Sequence, residues 1–498
     1  MKTFDELQAD LGPVWNLNRP GSTADHVVVV LPSYSLGETL LSHYATRIPA
    51  LEHRYLVTSL MLHRIEGCEL VFLTCQAPGR GVLDYYASLV PRRHRASTEA
   101  RFRVAVVPDD SPRALAAKLL DRPDLTETLR ASLAGRRAYI EPWNVTEREV
   151  ELAERLQLPV DGTPPRLWHL GFKSSGRRLF REAGVPVPPG REDVRTIDQL
   201  VLAIAEIRQQ RPAATGVVVK HDNSAAGDGN AVIRFDELEG SAGPDGIAAR
   251  GLTLPDWYLR DLASGGAVEE LITGSRFTSP SVQVELTPFG EVRILATHEQ
   301  VLGGESGQVY TGCRFPANPA YSADLARHGR AIGGLLARRG VVGRLSVDFA
   351  AVQNDSGKWQ VYALEVNLRK GGTTHPHVVL SHLVPGAYDA DAGAWYAADG
   401  TPRWYWATDN LIDESWLGLA PDAVIGAVAA AGLHFDARTG TGVVLHMLSC
   451  LAVDGRFGLT AIGRTAEQAA DLYERTSIAV HQLTGEAGHV RPSENPRE

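Results

Sequence analysis

The stretch that decides the fold reads RLSVDFA at residues 344–350 and VYALEVNLR at residues 361–369. Both segments are rich in apolar residues, with a polar side chain at every second position over part of their length. This pattern is typical of a strand with one polar face. If the two strands pair, their polar side chains converge on one surface. These side chains are Arg344, Ser346, Asp348, Glu365, Asn367 and Arg369.

The chemistry of this surface suits phosphoryl transfer. Carboxylate and amide oxygens are ligands that Mg²⁺ accepts, with phosphate oxygens completing its coordination. Guanidinium groups beside them would stabilise a transferring phosphoryl group or an oxyanion. We therefore predict Asp348, Glu365 and Asn367 as metal ligands and Arg344 and Arg369 as catalytic residues. An ordinary solvated face of an antiparallel pair is the alternative, so other parts of the chain have to support the assignment.

Composition excludes several classes of protein. The chain has 498 residues, 44% apolar and 22% charged, which fits two or three globular domains and not wholesale disorder. A net charge of -9 without a Lys/Arg-rich run argues against nucleic acid or a membrane surface as the main partner. The four cysteines form no CxxC pair, and neither a secretory signal nor a transmembrane run is evident. We expect a cytoplasmic protein.

Strand patterns separated by amphipathic stretches dominate the N-terminal third. Apolar runs begin at His26, Glu69 and Arg103, which predicts a parallel, Rossmann-like αβ domain. No GxGxxG fingerprint follows the first run, so a Rossmann dehydrogenase is not indicated. The chain ends in a small αββα pattern and a polar tail. The pattern includes a hairpin of two strands, at residues 442–452 and 456–462, joined by a turn at Asp454-Gly455. We expect a mixed α/β and α+β protein divided at residues 1–165, 166–405, 406–484 and 485–498, the last a flexible tail.

A lysine followed by small residues forms a second candidate motif. Lys220 ends an apolar strand and precedes the loop HDNSAAGDGN, in which Ser224, Gly227 and Gly229 allow backbone N–H groups to approach a phosphate closely. The lysine adds a positive charge. A Gly-rich hairpin with an exposed lysine is the alternative. The order of residues differs from a Walker A motif, in which the lysine follows the glycines.

The run VEELITG at residues 268–274 is a candidate hinge. It is either an ordinary strand end or a connection whose backbone pairs with an adenine edge while apolar side chains cover the ring.

These parts together resemble the ATP-grasp superfamily. The resemblance covers residues 165–380 and includes Lys173 before a helix ending in AGVPVP, Lys220 with its loop, VEELITG and the two acidic strands. The segments LEVNLRKGGTTHP (364–376) and GTGVVLHMLSCLAVDGRFGLTAIG (440–463) are similar to pheganomycin-type peptide ligases. This closer resemblance extends over nearly the whole chain. It implies a pre-ATP-grasp domain, a two-lobed ATP-grasp core and a small C-terminal domain.

The resemblance implies ATP and Mg²⁺ as cofactors. It implies phosphate contacts from Lys173 and Lys220, adenine contacts from the hinge, and Mg²⁺ on the two acidic strands. The expected ATP-binding residues are Lys173, Lys220, Ser224, Gly227, Gly229, Glu269, Glu270, Leu271 and Ile272. One position departs from many relatives, because Ser275 and Arg276 follow the hinge glycine where an acidic ribose ligand is common.

The implied reaction is ADP-forming amide ligation through an acyl phosphate. A carboxylic acid, expected to be a nonproteinogenic amino acid-like one, would join the N-terminal amine of a peptide or amino acid in an antibiotic pathway. Arg314 is a candidate clamp for a substrate carboxylate, and His375 a candidate base for the amine. We also expect the C-terminal unit to shape the acceptor site, with a stabilising cap as the alternative. Self-association is compatible with the sequence. The rival functions are an ATP-grasp kinase, a thioester-forming enzyme and a non-catalytic nucleotide-binding subunit.

Overall fold

The computed structural model describes residues 1–224, 229–236, 254, 256–303 and 309–485. Its α-helices, α1 to α17 in chain order, are Phe4–Gln8, Leu11–Trp15, Glu38–His43, Ile48–His53, Arg80–Leu89, Arg95–Ala100, Leu115–Leu120, Pro123–Leu133, Glu147–Leu156, Lys173–Glu182, Ile197–Gln210, Asp256–Leu262, Ser322–Arg338, Thr374–Leu383, Pro421–Ala430, Leu451–Asp454 and Ala466–His481. Its strands, β1 to β19, are His26–Leu31, Cys68–Thr74, Phe102–Val106, Ala138–Pro142, Gly190–Arg191, Gly216–His221, Asn230–Arg234, Gly266–Glu270, Arg276–Thr278, Pro280–Leu286, Val292–Gly303, Val309–Phe315, Gly343–Gln353, Trp359–Asn367, Gly386–Asp389, Ala394–Ala397, Pro402–Ile412, Gly442–His446 and Arg456–Gly463.

The N-terminal part is a parallel sheet in the order β3-β2-β1-β4 with helices around it. The central strand β1, HVVVVL, is buried along its whole length, as its continuous apolar run predicts. The three predicted strands and the Rossmann-like arrangement are confirmed. The sequence reading missed β4, whose residues AYIEP include a glutamate and a proline and so carry a weak strand signal.

A small antiparallel sheet follows, in the order β5-β8-β6-β7. Its apolar face packs against α11 and α12, with Val217, Val219 and Val268 facing Leu200 and Ile204 in one core. This sheet carries Lys220 and the hinge run, so both candidate nucleotide motifs lie on one lobe.

The largest sheet is antiparallel along β14-β13-β10-β11-β12-β17 and is extended by the β15–β16 hairpin. Val282, Val284 and Val347 pack with Ile332 and Leu336 of α13 on one face. The opposite face carries the polar side chains of β10, β13 and β14.

The C-terminal unit differs from the predicted hairpin. The strand predicted over residues 442–452 ends at His446, and a 3-10 turn at Leu448–Cys450 and the short helix α16 lead into β19. The apolar residues of this connection are buried by helical packing, which the sequence pattern does not distinguish from a strand. Strand β17 pairs with both β12 and β19, so the C-terminal strands extend the central sheet. β17 also crosses the predicted boundary at residue 405.

Within the described ranges, no helix is both long enough and apolar enough to cross a membrane.

Candidate active site

The two acidic strands pair as the sequence predicts. β13 and β14 are antiparallel, with Asp348 directly opposite Glu365 and Ser346 opposite Asn367. On the other side of β13, Asp348 is opposite Ser281 of β10. Directly opposite residues of an antiparallel pair point to the same face. The structure therefore brings the two carboxylates and the amide together on the polar face of the central sheet.

Asp348 accepts two hydrogen bonds from amide side chains. Asn367 Nδ2 donates to Asp348 Oδ2 at 2.9 Å, and Gln300 Nε2 donates to Oδ1 at 3.2 Å. Burial, followed by the negative charge of Glu365, raises the pKa of Asp348 to about 7 against the opposing charges of Arg369 and Lys173. A cation between the two carboxylates would relieve this repulsion. Gln300, from β11, is a residue that the sequence analysis missed.

The donor set fits Mg²⁺ if a nucleotide contributes to it. Among the described residues, no group of three or more His, Cys, Asp or Glu side chains could hold a metal ion. Asp348, Glu365 and the Oδ1 atom of Asn367 supply oxygens only, which suits a hard cation that keeps phosphate or water ligands. The two carboxylates are therefore an incomplete site that phosphate oxygens would complete.

Lys173 lies directly beside the carboxylate pair of Asp348 and Glu365. It is the first residue of α10, it is buried, and its Nζ atom is 2.8 Å from Glu365 Oε1. Burial favours the neutral form of Glu365, but Lys173, Lys220 and Arg369 outweigh that effect, and the pKa of Glu365 falls below its ordinary value. Lys173 Nζ also donates to the Ser224 carbonyl at 3.4 Å. It therefore links the central sheet to the loop after Lys220.

Lys220 is held by a buried ion-pair cluster. Its Nζ atom contacts Glu269 Oε1, and Arg177 Nη1 donates to Glu269 Oε2 at 2.7 Å. Arg177 also donates hydrogen bonds to the Glu192 carboxylate and to the Pro188 carbonyl. The Glu269 side chain is 2% exposed, so it is a counter-ion inside the lobe. The sequence analysis missed Arg177, although it lies four residues after Lys173, on the same side of α10.

Two hinge amides are already used within the protein. The Glu270 N–H donates to the Pro189 carbonyl at 2.8 Å, and the Leu271 N–H donates to the Gly216 carbonyl at 2.9 Å. The Glu270 carboxylate pairs with Arg211 at 3.1 Å. An adenine at the hinge would therefore have to bond to other backbone groups, such as those of Ile272.

The predicted catalytic arginines occupy different places. Arg369 lies 5.0 Å from the Trp143 ring centre, and its charge acts on both Asp348 and Glu365. Arg344 lies opposite Glu285 on β10, four residues before Asp348, and the charges that act on it are those of Glu285, Glu141 and Asp161. The structure brings Arg369 to the carboxylate pair and does not bring Arg344 there.

Comparisons with known proteins identify the fold and the family. The family model described as "IQCH-like, ATP-grasp" matches residues 165–242 and 254–390, and "PGM1 C-terminal domain" matches residues 423–476. The L-propargylglycine–L-glutamate ligase of Streptantibioticus cattleyicolor is 34% identical over 432 residues, which cover 85% of this chain and 87% of that protein. This chain belongs to the ATP-grasp ligases.

More distant relatives share the ATP-grasp fold. IQ motif-containing protein H of Danio rerio is 24% identical over 360 residues, which are 61% of this chain and 34% of that protein. The biotin carboxylase domain of Hydrogenobacter thermophilus 2-oxoglutarate carboxylase has a TM-score of 0.53 at 12% identity, covering 91% of this chain and 89% of its own. Campylobacter jejuni biotin carboxylase also has a TM-score of 0.53 at 12% identity, and the match covers 95% of this chain and 96% of that chain.

The small-residue loop of this ATP-grasp ligase is described only in part. Ser224 Oγ donates to the His221 carbonyl at 3.1 Å, and the Gly229 carbonyl accepts from the His221 N–H at 3.0 Å. A Cβ atom at Gly229 would approach Ser224 Cβ to 2.4 Å, so a glycine is required there. Gly227 lies outside the described residues.

The two predicted substrate residues do not lie beside the carboxylates. Arg314 of β12 is opposite Glu299, which accepts a hydrogen bond from Tyr321 beside α13. Because strand residues alternate between faces, Arg314 lies on the face opposite Asp348, where its guanidinium stacks 4.2 Å from the Trp406 ring centre. His375 is buried, with its ring centre 4.0 Å from that of His446, and burial lowers its pKa well below the ordinary value.

A buried polar network joins three parts of the chain behind the site. Arg54 Nη2 is 2.7 Å from Asp409 Oδ2 and 2.8 Å from the Gly372 carbonyl. His446 Nε2 is 2.7 Å from Asp409 Oδ1. Gly372 lies three residues after Arg369, so the network supports the loop that follows the second acidic strand. Its members are far apart in sequence, and no local pattern could have identified them.

Proposed function

We propose that this ATP-grasp ligase joins the carboxylate of one amino acid-like acid to the amine of a second amino acid or short peptide. Two facts support the proposal. The Streptantibioticus cattleyicolor relative is by name an amino acid–amino acid ligase and aligns along 87% of its length. The observation that carries the proposal is the placement of Asp348, Glu365 and Asn367 on one face beside Lys173.

The proposed reaction has two steps. A carboxylate oxygen of the acid attacks the γ-phosphorus of ATP, and the bond from that phosphorus to the bridging β–γ oxygen breaks. ADP leaves with the electron pair of that bond, and the acid becomes an acyl phosphate. The amine nitrogen then attacks the acyl carbon, inorganic phosphate leaves, and the amine loses a proton. Activation is needed because a carboxylate is a poor electrophile. Such a reaction depends on alignment and charge neutralisation and requires no nucleophile from the protein.

Each positive side chain has a separate role in this proposal. Lys173 would contact the phosphates nearest the carboxylate pair, since its ammonium group already lies at 2.8 Å from Glu365. Lys220 would contact phosphates from the opposite lobe, with Glu269 holding it in place. Arg369 would stabilise the transferring phosphoryl group and the later oxyanion. We do not place Arg344 in this role, because its charge partners are Glu285, Glu141 and Asp161.

The metal ligands would be Asp348, Glu365 and Asn367. Mg²⁺ supplies charge neutralisation for the phosphates when it is bound. Asn367 and Gln300 both donate to Asp348 and so fix the direction of its oxygens. The pathway we propose is the synthesis of a small peptide natural product, as the relative's dipeptide-forming activity suggests.

The test is a product assay with ATP, a panel of amino acids as acids, and each acid with and without a second amino acid or dipeptide. We expect ADP and phosphate release that requires both partners, together with a new amide detected by mass spectrometry. Asp348→Asn should abolish it, and Asp324→Asn, at an exposed site on α13, should not. ADP formation without an amine would indicate a kinase, AMP would indicate an adenylate mechanism, and no turnover with bound ATP would indicate a binding subunit.

A further inference from the structure

A cavity of about 380 Å³ lies away from the carboxylate pair. The N-terminal sheet, the central sheet, α14 and the β15–β16 hairpin line it, and Arg344 reaches it from β13. Four residues of strand separate Arg344 from Asp348, about 13 Å at 3.3 Å per residue. Between them, Gln283 bonds to Thr373 at 2.6 Å and to Thr374 at 3.1 Å. The cavity is therefore walled off from the ATP site along this face.

Several polar atoms in the cavity wall have no hydrogen-bond partner. Among the described residues, this is true of Arg344 Nη1, Asp161 Oδ1, His377 Nδ1 and Trp395 Nε1, and all four atoms are buried. His377 and Trp395 are each 5% exposed. Buried donors and acceptors are normally satisfied, because leaving one unpaired costs about 1–3 kcal/mol. Such a group of unpaired atoms around one space can accept hydrogen bonds from a polar ligand and donate hydrogen bonds to it.

The charges around the cavity indicate a ligand that carries one positive and one negative group. The Glu141 carboxylate forms an ion pair with Lys370, with 2.7 Å between Oε1 and Nζ. Arg344 makes only a long contact of 3.5 Å to Glu285, and the second oxygen of Asp161 accepts from Trp15 Nε1 at 3.2 Å. One guanidinium and one carboxylate therefore still have bonding capacity.

A simple anion would meet three carboxylates in this cavity, and a metal ion would meet arginine and lysine side chains. A molecule with a carboxylate and an ammonium group would pair with both the Arg344 guanidinium and the Asp161 carboxylate. Met61, Ile65 and Leu295 provide apolar wall for a side chain.

We infer that this cavity binds a free amino acid, with the ligand's carboxylate on Arg344 and its ammonium group on Asp161. The site is separate from the ATP and metal site and does not depend on the proposed reaction. It lies next to catalytic elements, because Lys370 directly follows Arg369 and Arg344 shares β13 with Asp348. An amino acid bound here would neutralise the charge of Arg344 on β13, the strand that carries Asp348.

The test is isothermal titration calorimetry of the full chain without ATP, using the twenty standard amino acids one at a time. For any that binds, the amine and the carboxylic acid that each lack one of the two head groups should bind at least tenfold more weakly. Arg344→Met and Asp161→Asn should each lower the affinity at least tenfold. Ser381→Phe, which adds bulk to the cavity wall without removing a charge, should also do so.

The control is the exposed Arg327–Asp324 pair on α13, where Arg327→Met and Asp324→Asn should leave amino acid binding unchanged. Thermal unfolding of each variant establishes that it is folded. The inference is wrong if none of the amino acids binds, which would mean that water fills the cavity. It is also wrong if binding persists unchanged in all three cavity variants, because the amino acid would then occupy the catalytic site. The outcome stands apart from the proposed function, because turnover is not measured.

Discussion

Asp348 and Glu365 have opposite pKa shifts although they are opposite each other on adjacent strands. Glu365 has Lys173 at 2.8 Å and stays ionised, whereas Asp348 has only neutral amide donors within hydrogen-bonding distance among the described residues. Burial and the charge of Glu365 then raise the pKa of Asp348 to about 7. A pair of this kind holds one proton near neutral pH, and a divalent cation displaces that proton.

We predict that the apparent affinity for Mg²⁺ falls as the pH falls through 7. Protons and Mg²⁺ compete for Asp348, so the affinity should drop up to about tenfold per pH unit below 7 and level off above it. The measurement is calorimetry of Mg²⁺ binding in the presence of ADP from pH 5.5 to 8.5, compared with ADP and Mg²⁺ alone. Asp348→Asn should bind weakly at every pH. A wild-type curve without this pH dependence would contradict the prediction.

Asp161 is the second acid with a strongly shifted pKa. Burial, followed by Glu285 and Glu141, raises its pKa to about 7 from 3.8. Because the folded pKa lies above the unfolded value, the folded state loses stability as the pH rises from about 4 to about 7. We predict that Asp161→Asn is more stabilising at pH 8 than at pH 5, by about 1–3 kcal/mol. Urea unfolding at both pH values, without added amino acids, measures the difference, and equal effects at both would refute it.

At the scale of elements, β8 and α10 supply the side chains that hold Lys220 in place on the small sheet. β8 supplies Glu269, and its carboxylate pairs with Arg177 of α10 and with Lys220 of β6. A buried carboxylate with two cations is stable only while its charge is balanced. The small sheet therefore presents Lys220 in a fixed position instead of leaving it to move in solvent.

We predict that Lys220→Met raises the KM for ATP at least tenfold and also destabilises the lobe, because Glu269 keeps only one cation. The double variant Lys220→Met, Glu269→Gln should recover thermal stability without recovering ATP use. Steady-state kinetics and thermal unfolding measure the two effects separately. Arg211→Met, at the half-exposed partner of Glu270, is the matched control and should change both only slightly. Recovery of ATP use in the double variant would show that Lys220 only balances Glu269.

The alternation of polar and apolar residues predicted the two strands that carry the carboxylate pair, β13 and β14. The polar residues of β13 and β14 share one face because strand geometry requires it, and the bulge after Asp348 leaves that register intact on the side of the site. The same alternation could not show how far along the face the chemistry extends. Arg344 lies on the same face as Asp348 but four residues away along β13. Its partners Glu141 and Asp161 come from the N-terminal part. Arg314 lies on the face opposite Asp348, and the pairing of β12 with β11 sets that orientation.

At the scale of the whole molecule, one polar network ties the three parts together. Arg54 comes from the N-terminal part, Gly372 from the loop after β14, and Asp409 and His446 from the C-terminal strands. The contact between Arg54 and Gly372 spans 318 residues and that between Asp409 and His446 spans 37, so no local pattern in the sequence predicts them. The sequence analysis expected the C-terminal unit to shape the acceptor site, and this prediction is untested. The network gives it a physical route, because it ends on the loop beside Arg369.

We predict that Asp409→Asn lowers turnover or raises the KM for the amine substrate at least fivefold while the KM for ATP changes less than twofold. The reason is that Arg54 loses its counter-ion and no longer fixes the Gly372 carbonyl. Full steady-state kinetics for ATP, acid and amine measure the selectivity. Asp436→Asn, at a more exposed turn of the same unit, is the control. Equal losses for ATP and amine, or a loss of thermal stability alone, would mean that the unit is a stabilising cap.

Strand β17 gives the molecule one more property, which concerns exchange of segments between relatives. β17 bonds to β12 on one edge and to β19 on the other, so a junction at residue 405 cuts through a strand shared by both neighbours. A chimera that takes its C-terminal segment from another ligase at that point would have a hybrid β17. The new part would pair with the original β12, and the retained residue Trp404 would pair with the new β19. Crossover points at loops outside β17, before Pro402 or after Ile412, keep the strand whole. Chimeras joined at those loops should therefore fold more readily than chimeras joined at residue 405.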